Sequence, residues 1–207
     1  LNLSDQDFLT GKYKFSAGVT VGTIQNQGTI VTPSGGVVYL IAPDIENSGI
    51  IHTPQGDVML AAGHSVELFD SFDPDISVVV SAPTDKVVNL GQIIADSGEI
   101  GIYGGLISQK GTINADKAVV GENGKIFFKA TQDITLDAAS TTSAKGDQGG
   151  QIKVQSASGT TLVSGTVSAT GNSEKGGKIE ILGNHVGLMD NARVDASGKT
   201  GGGTGRR

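Results

Sequence analysis

The sequence contains no cysteine and no tryptophan, and only 4% of its residues are aromatic. The absence of cysteine excludes a disulfide framework and a thiolate zinc site. Globular cores usually rely on large aromatic side chains, so a core of Ile, Val, Leu and Ala suits regularly stacked coils better. Proline is also scarce, at 5 residues, which excludes a collagen-like chain.

Long apolar runs and an excess of basic charge are missing as well. No run of about 18 apolar residues occurs, so the sequence predicts no membrane-spanning helix. The formal net charge is -6, and charged residues make up only 17% of the chain. This balance provides no basic surface for nucleic acid or anionic lipid, and we expect no nucleic-acid partner.

Glycine is abundant instead, with 32 of 207 residues, and it marks a repeat. Residues 45–63 (IENSGIIHTPQGDVMLAAG) repeat the phrase of residues 24–43 (IQNQGTIVTPSGGVVYLIAP), with two glycines in matching places. A unit of about 20 residues that holds two short strands and no helix predicts one coil of a β-solenoid.

Strand phrases that resemble one another follow a series of glycines. These glycines are Gly36, Gly56, Gly98, Gly124, Gly150 and Gly177. Their spacings are 20, 42, 26, 26 and 27 residues, and the step of 42 predicts either two turns or one turn plus an insertion. The longer units gain their extra residues in segments 140–150, 168–177 and 195–203, which are rich in Gly, Ser, Thr and Lys. Such composition predicts solvated loops along one edge of a rod.

The later strand phrases alternate between apolar and polar residues. In residues 151–156 (QIKVQS) this alternation predicts one buried and one solvated face. Because each strand of a solenoid pairs with its equivalent in the next coil, we expect Ile126, Ile152 and Ile179 to stack about 4.8 Å apart. A third short strand is predicted near residues 66–68, 134–136 and 186–188.

The pattern predicts a single β-helix fragment over residues 1–207 that is truncated at both ends. Its parts are an initial segment (1–23), short coils (24–67), a hairpin insertion (68–88) and longer coils (89–207). The insertion breaks the repeat with an Asp-Pro-Asp turn signal and a β-prone run. We expect an extra-helical hairpin that packs on one face of the rod, covers apolar surface and offers a contact for a partner.

Candidate partner contacts fall in the insertion and beside the late loops. They are Asp70, Asp73, Asp75, Lys145, Lys175 and Lys178. The aspartates fit either paired carboxylates for glycoside hydrolysis, a calcium site, or an acidic hairpin tip. The tip is favoured, because no other carboxylate recurs near them at a fixed repeat position. The lysines fit a face for acidic glycans, but a merely solvated face is the simpler interpretation.

The three histidines are dispersed along the chain. His52, His64 and His185 show no metal-ligand spacing, and none has a Ser or Asp partner in a recognisable frame. We therefore predict no catalytic residues, no metal site and no cofactor, and a protein that is not an enzyme.

Several phrases resemble a known family in their order. Residues 1–15 (LNLSDQDFLTGKYKF), 35–68 (with GGVVYLIAP, IENSGII and GDVMLAAGHSVEL) and 82–102 (APTDKVVNLGQIIADSGEIGI) resemble the second half of the secretion domain of filamentous haemagglutinin-type exoproteins. These exoproteins are the passengers of two-partner secretion. The later phrases GTVSATG (165–171) and KGGKIEILG (175–183) resemble the repeats that follow that domain. The resemblance covers nearly the whole chain and rests on phrase order.

This resemblance implies a right-handed parallel β-helix that is exported through an outer-membrane partner barrel. It implies an adhesin or haemagglutinin, secreted or on the cell surface of a Gram-negative bacterium, that contacts a host or bacterial cell-surface glycan or protein. The family's N-terminal cap carries an Asn-Pro-Asn-type motif, whereas this sequence contains no Asn-Pro pair. We therefore expect barrel recognition to depend on a region largely missing here.

Two alternative functions stay open at this point. A β-helical polysaccharide-active enzyme needs carboxylates that converge on one face, and the sequence shows no such recurrence. A stalk for a contact-dependent toxin would be recognised only from sequence beyond the C-terminal end.

Overall fold

The computed structural model describes residues 2–10, 12–18, 22–68, 78–81, 84–116 and 123–206, with the backbone alone at 78–80 and 206. The elements in chain order are α1 (Asp5–Leu9), β1 (Tyr13–Ser16), β2 (Thr23–Asn26), β3 (Thr29–Val31), β4 (Val37–Ala42), β5 (Asp44–Asn47), β6 (Ile50–His52), β7 (Asp57–Ala62), β8 (Ser65–Leu68), β9 (Val78–Ser81), β10 (Lys86–Asn89), β11 (Gln92–Ile94), β12 (Glu99–Gly104), β13 (Leu106–Gln109), β14 (Thr112–Asn114), β15 (Lys125–Ala130), β16 (Ile134–Leu136), β17 (Thr141–Ser143), β18 (Gln151–Ser156), β19 (Thr160–Val163), β20 (Thr166–Ser168), β21 (Lys178–Leu182), β22 (His185–Leu188), β23 (Arg193–Asp195) and β24 (Thr204–Arg206).

Three parallel sheets of seven strands each form a right-handed parallel β-helix, which confirms the predicted fold. Each coil contributes one strand to every sheet, and the strands follow one another along the axis in chain order. Sheet I contains β2, β5, β10, β13, β16, β19 and β22; sheet II contains β3, β6, β11, β14, β17, β20 and β23; sheet III contains β4, β7, β12, β15, β18, β21 and β24.

The interior is built from columns of apolar side chains. Ile126 pairs with Ile152, and Ile152 with Ile179, in neighbouring strands of sheet III. All three side chains are buried, which confirms the predicted stacking. Each fully buried side chain of this size contributes about 1.5–3 kcal/mol relative to an exposed one, so the columns bind each coil to the next.

The step of 42 residues is one turn plus an insertion. Val58 of β7 pairs directly with Ile100 of β12 in sheet III, so no coil lies between them. The chain leaves the coils after β7 and returns to sheet I at β10, which pairs with β5. The excursion between them forms the predicted hairpin.

The hairpin strands β8 and β9 join β1 in an antiparallel outer sheet with the order β1-β8-β9. Val66 of β8 packs against Met59, Ala61 and Tyr103 on the outer face of sheet III, together with Phe15 of β1. The outer sheet thus covers apolar surface on one side of the rod. The assignment of residues 66–68 to a third coil strand was wrong, whereas residues 134–136 and 186–188 do lie in sheet I.

A hydrogen bond between two side chains closes the base of this excursion. His64, just after the chain leaves the coils, lies with its Nδ1 2.5 Å from the Oδ2 of Asp85, just before the chain returns. The side chain of Asp85 is only 6% exposed. The backbone oxygen of Asp85 also accepts hydrogen bonds from the backbone N–H groups of Gly105 and Leu106 in the next coil.

A ladder of amide side chains runs through the interior at the corner between sheets I and II. Asn26 donates to Asn47 (2.7 Å), Asn47 to Asn89 (2.8 Å), and Asn89 to Gln109 (2.7 Å). Gln109 then donates to the backbone oxygen of Gly111 at 3.0 Å. Asn47, Asn89 and Gln109 are almost completely buried, so these bonds satisfy amides that would otherwise be costly to bury. Leu136 takes the equivalent position in the following coil.

The short helix α1 lies outside the coils and buries no residue. Ser4 caps its first turn by accepting a hydrogen bond from the backbone N–H of Asp7 at 3.1 Å. In the described part of the chain, no helix has the length and apolar character needed to cross a bilayer.

A glycine-floored groove as the candidate functional site

Loops that lead from sheet II to sheet III stack along one edge of the late coils. Each loop begins at an alanine and is closed by a backbone hydrogen bond from a glycine N–H to that alanine's oxygen. The three bonds are Gly150 to Ala144 (2.8 Å), Gly177 to Ala169 (2.7 Å) and Gly203 to Ala196 (2.7 Å). Loops of similar composition but different length are therefore closed in the same way, and bridges between Gly146 and Gly171 and between Gly171 and Gly198 stack them along one edge, as predicted.

The glycines that end these loops are required by close approach of neighbouring coils. A Cβ on Gly177 would lie 2.0 Å from the backbone oxygen of Gly150, and one on Gly203 would lie 1.9 Å from that of Gly177. Gly202, one residue away, would have no atom within 4 Å of such a Cβ. Along the column of closing glycines, the surface of the rod therefore consists of backbone atoms without side chains.

This line forms the floor of an open groove of about 510 Å³. The lining residues come from four consecutive coils and are glycine or polar. They are Asn123, Gly124, Lys125, Gln148, Gly149, Gly150, Gln151, Lys175, Gly176, Gly177, Lys178, Gly202, Gly203 and Thr204. We call this surface the corner groove.

Three lysines and no carboxylate line the corner groove. Lys125, Lys175 and Lys178 are all exposed. The Nζ of Lys178 lies 2.8 Å from the Oε2 of Glu180, whose side chain is 12% exposed and is not part of the groove lining. Lys125 and Lys175 form no ion pair with any other residue that the structure describes.

Charge is separated along the column of residues that follows the closing glycines. Asp57 and Glu99 occupy this column in the early coils, and Lys125 and Lys178 occupy it in the later coils. Burial, and then the negative charges of Asp57 and Glu99, raise the pKa of Tyr39 above its ordinary value. The corner groove thus lies at the basic end of this column.

The structure brings together part of the predicted contact set. Lys175 and Lys178 both line the corner groove, whereas Lys145 does not; the Lys145 backbone N–H donates to Asp116 at 2.7 Å. Sequence analysis missed Lys125, although it follows Gly124 as Lys178 follows Gly177. Asp70, Asp73 and Asp75 lie outside the described residues.

Two histidines do have aspartate partners, which corrects the expectation from sequence. His52 Nε2 lies 2.9 Å from Asp96 Oδ2 in the next coil, and His64 pairs with Asp85 as described above. The partners are 44 and 21 residues apart in sequence, so no local spacing signals them. Among the described residues, no group of three or more His, Asp or Glu side chains is arranged to hold a metal ion.

Asp195, beside the last loop, has a strongly lowered pKa. Hydrogen bonding with Ser197, whose backbone N–H donates at 3.0 Å, and the Nη2 of Arg193 at 2.9 Å lower the pKa of Asp195 to about 2. A carboxyl group with such a pKa holds no proton at neutral pH and is unsuited to act as a general acid.

Comparison with known proteins supports the architecture. No protein-family model matches the sequence, and no curated protein matches it. Among solved structures, the crystal structure of the HMW1 secretion domain from Haemophilus influenzae is similar, with a TM-score of 0.86 and 24% sequence identity. The match covers 96% of this chain and 57% of that chain. This chain therefore shares the fold of that domain and spans little more than half of its length.

Proposed function

We propose that the chain is a segment of an exported exoprotein of a two-partner secretion system, in which its coils form a rod for attachment to a cell surface. The observation that carries this proposal is the similarity in fold to the HMW1 secretion domain over 96% of the chain, with a TM-score of 0.86. The phrase order of the filamentous haemagglutinin-type exoproteins supports the same assignment. In this proposal an outer-membrane transporter is the export partner, and the protein is secreted or held on the surface of a Gram-negative bacterium.

The architecture suits export and assembly outside the cell. In a solenoid each coil contacts mainly its neighbours, so folding can start at one end and propagate. A chain without cysteine also forms no disulfide that would hold it folded before export. These properties fit a polypeptide that crosses a pore unfolded and then winds into a rod.

The proposed role is structural and adhesive rather than catalytic. A glycosidase requires two carboxyl groups about 5–9.5 Å apart beside its substrate, and the corner groove has none among its lining residues. The HMW1 domain, which is similar in fold, is a secretion domain. No observation favours a toxin stalk over an attachment rod.

An export assay tests the proposal. The gene, with its flanking coding sequence, is expressed in a Gram-negative host with and without a candidate outer-membrane transporter. We expect the protein in the medium or on the surface only when the transporter is present, while a periplasmic marker stays inside. Retention of the protein with the transporter, or equal release without it, would contradict the proposal.

Attachment is measured separately with the purified 207-residue chain. We expect saturable binding to cells that display surface polysaccharide, and weaker binding after enzymatic removal of that polysaccharide. Binding that survives the treatment unchanged would exclude a glycan as the receptor.

A further inference from the structure

We propose that the corner groove binds a segment of a linear acidic polysaccharide, which lies along the rod axis with its anionic groups beside Lys125, Lys175 and Lys178. This inference rests on the attachment role proposed above, since it names the site and the ligand class for that role. The chemistry shared by suitable ligands is a sugar polymer that bears regularly spaced carboxylates or sulfates.

Charge is the first argument. The chain as a whole has a formal net charge of -6, yet the groove lining has three lysines and no carboxylate. Such a local reversal of sign attracts an anionic ligand to this surface and not to the rest of the rod. Of the carboxylates of the same column, Glu99 pairs in register with Lys125 and lies just outside the groove lining, and Asp57 lies one coil further away.

Shape is the second argument. The floor runs over Gly124, Gly150, Gly177 and Gly203, one residue from each of four coils. Three coil spacings amount to about 14 Å. Lys125 and Lys178 lie two spacings apart, about 9.6 Å. A long, open groove with separated cations fits a polymer segment better than a compact small molecule.

Hydrogen-bonding capacity is the third argument. Asn123, Gln148, Gln151 and Thr204 line the groove and present amide and hydroxyl groups that both donate and accept. Sugar hydroxyl groups need such partners, whereas a simple anion would need only the lysines. Because close approach of the coils requires the closing glycines, no side chain on the floor obstructs a sugar ring.

The test compares two double variants with the same net charge. Lys125→Gln/Lys175→Gln removes two groove lysines that have no described ion-pair partner. Lys145→Gln/Lys199→Gln removes two exposed lysines of the same loop edge that do not line the groove. Lys178 is left in place, because it is paired with the largely buried Glu180. Circular dichroism confirms that each variant of the full 207-residue chain keeps its fold.

Binding is measured by isothermal titration calorimetry at low ionic strength with polygalacturonate, heparin, neutral dextran and single-stranded DNA. We expect the groove double variant to bind the acidic polysaccharides about tenfold more weakly, since each exposed ion pair contributes up to about 1 kcal/mol. The control variant should lose less than about twofold, and added salt should weaken all the binding. The tighter of the two polysaccharides identifies carboxylate or sulfate as the preferred group.

Several outcomes would overturn the inference. These are the absence of binding to both acidic polysaccharides, an equal loss in both double variants, or equal binding to dextran or to DNA. If export depends on the transporter but the groove variant binds polysaccharide as well as the unchanged protein, the groove is not the binding site and the proposed export function stands. Groove-dependent binding without transporter-dependent export would refute the export function alone.

Discussion

Single amide side chains hold the early coils in register. Asn47 is almost completely buried, and it accepts from Asn26 and donates to Asn89. Asn47→Ala would remove both bonds, together with a longer one to the backbone oxygen of Gln92 (3.3 Å), and would leave the half-buried amide of Asn26 and the buried oxygen of Asn89 without these partners, so we expect a loss of about 2–4 kcal/mol in the free energy of unfolding. Urea titration followed by circular dichroism measures this loss.

The control for this prediction is Asn26→Ala at the end of the ladder. Asn26 is only half-buried, and its substitution removes one bond of the ladder and a long bond (3.3 Å) from the exposed backbone N–H of Gly28, so a loss of about 1 kcal/mol is expected. If both variants lose the same free energy, the ladder does not act as a connected network.

Closing glycines offer a second test, at a position where only the backbone fits. Gly177→Ala would place a methyl group 2.0 Å from the backbone oxygen of Gly150, whereas Gly202→Ala would meet nothing within 4 Å. We expect Gly177→Ala to lower the free energy of unfolding by about 2–3 kcal/mol, and Gly202→Ala to change it by less than about 0.5 kcal/mol. Similar thermal midpoints for the two proteins would show that the coils can move apart at this edge.

Sequence predicted some side-chain positions and missed others for identifiable reasons. The stacking of Ile126, Ile152 and Ile179 follows from a constant offset after a glycine, and that signal is local. The amide ladder had a comparable signal, because Asn26, Asn47 and the Asn and Gln of later coils each stand two residues before a glycine. The repeat was predicted from its apolar residues and glycines, which do not include these amides. The pairing of His52 with Asp96 depends on which coils are neighbours, and no local pattern carries that information.

The antiparallel outer sheet is the element that departs most from the repeat. Its strand β8 has the short apolar character of a coil strand, and the sequence therefore placed residues 66–68 in the coils. Its actual position depends on a long-range match between Val66 and the outward-facing Met59 and Tyr103 of sheet III. The alternation of apolar and polar residues in a short strand is the same whether its apolar side chains are buried in the interior or on the outer face of a sheet.

Because a separate small cluster holds the outer sheet to the rod, we expect it to open without unwinding the coils. Val66→Asp would place an unpaired carboxylate in a fully buried position of that cluster. Hydrogen exchange should then accelerate by at least about tenfold in β8, while β12 and β15 in the coils keep their protection. Glu67→Gln, on the opposite face of β8, serves as the control. Faster exchange throughout sheet III would show that the outer sheet and the coils unfold as one unit.

The whole molecule is a rod whose ends and sides differ in chemistry. The amide ladder stabilises the early coils, whereas the buried Leu136 and Val163 occupy the same interior column later, and Leu188 ends it as a 41% exposed side chain. On the outside, the column after the closing glycines changes from acidic to basic in the same direction. Both gradients follow the chain, and they place the basic groove on the late coils, away from the outer sheet.

A rod with this arrangement should bind polysaccharide without cleaving it. Hydrolysis or elimination requires titratable groups that converge on the substrate and perturb one another. The carboxylates on or beside the late loops do not converge on the groove: Asp147 accepts a hydrogen bond from the Ser173 hydroxyl at 3.2 Å, Asp195 is bound to Arg193 and Ser197, and Glu180 to Lys178. Neither Asp147 nor Glu174 is among the residues that line the corner groove. We therefore expect no new reducing ends and no unsaturated products from pectate, hyaluronan or heparin over a long incubation. Product formation that disappears in Asp73→Ala or Asp75→Ala would assign an enzymatic role to the insertion and replace the attachment rod with a polysaccharide-active enzyme.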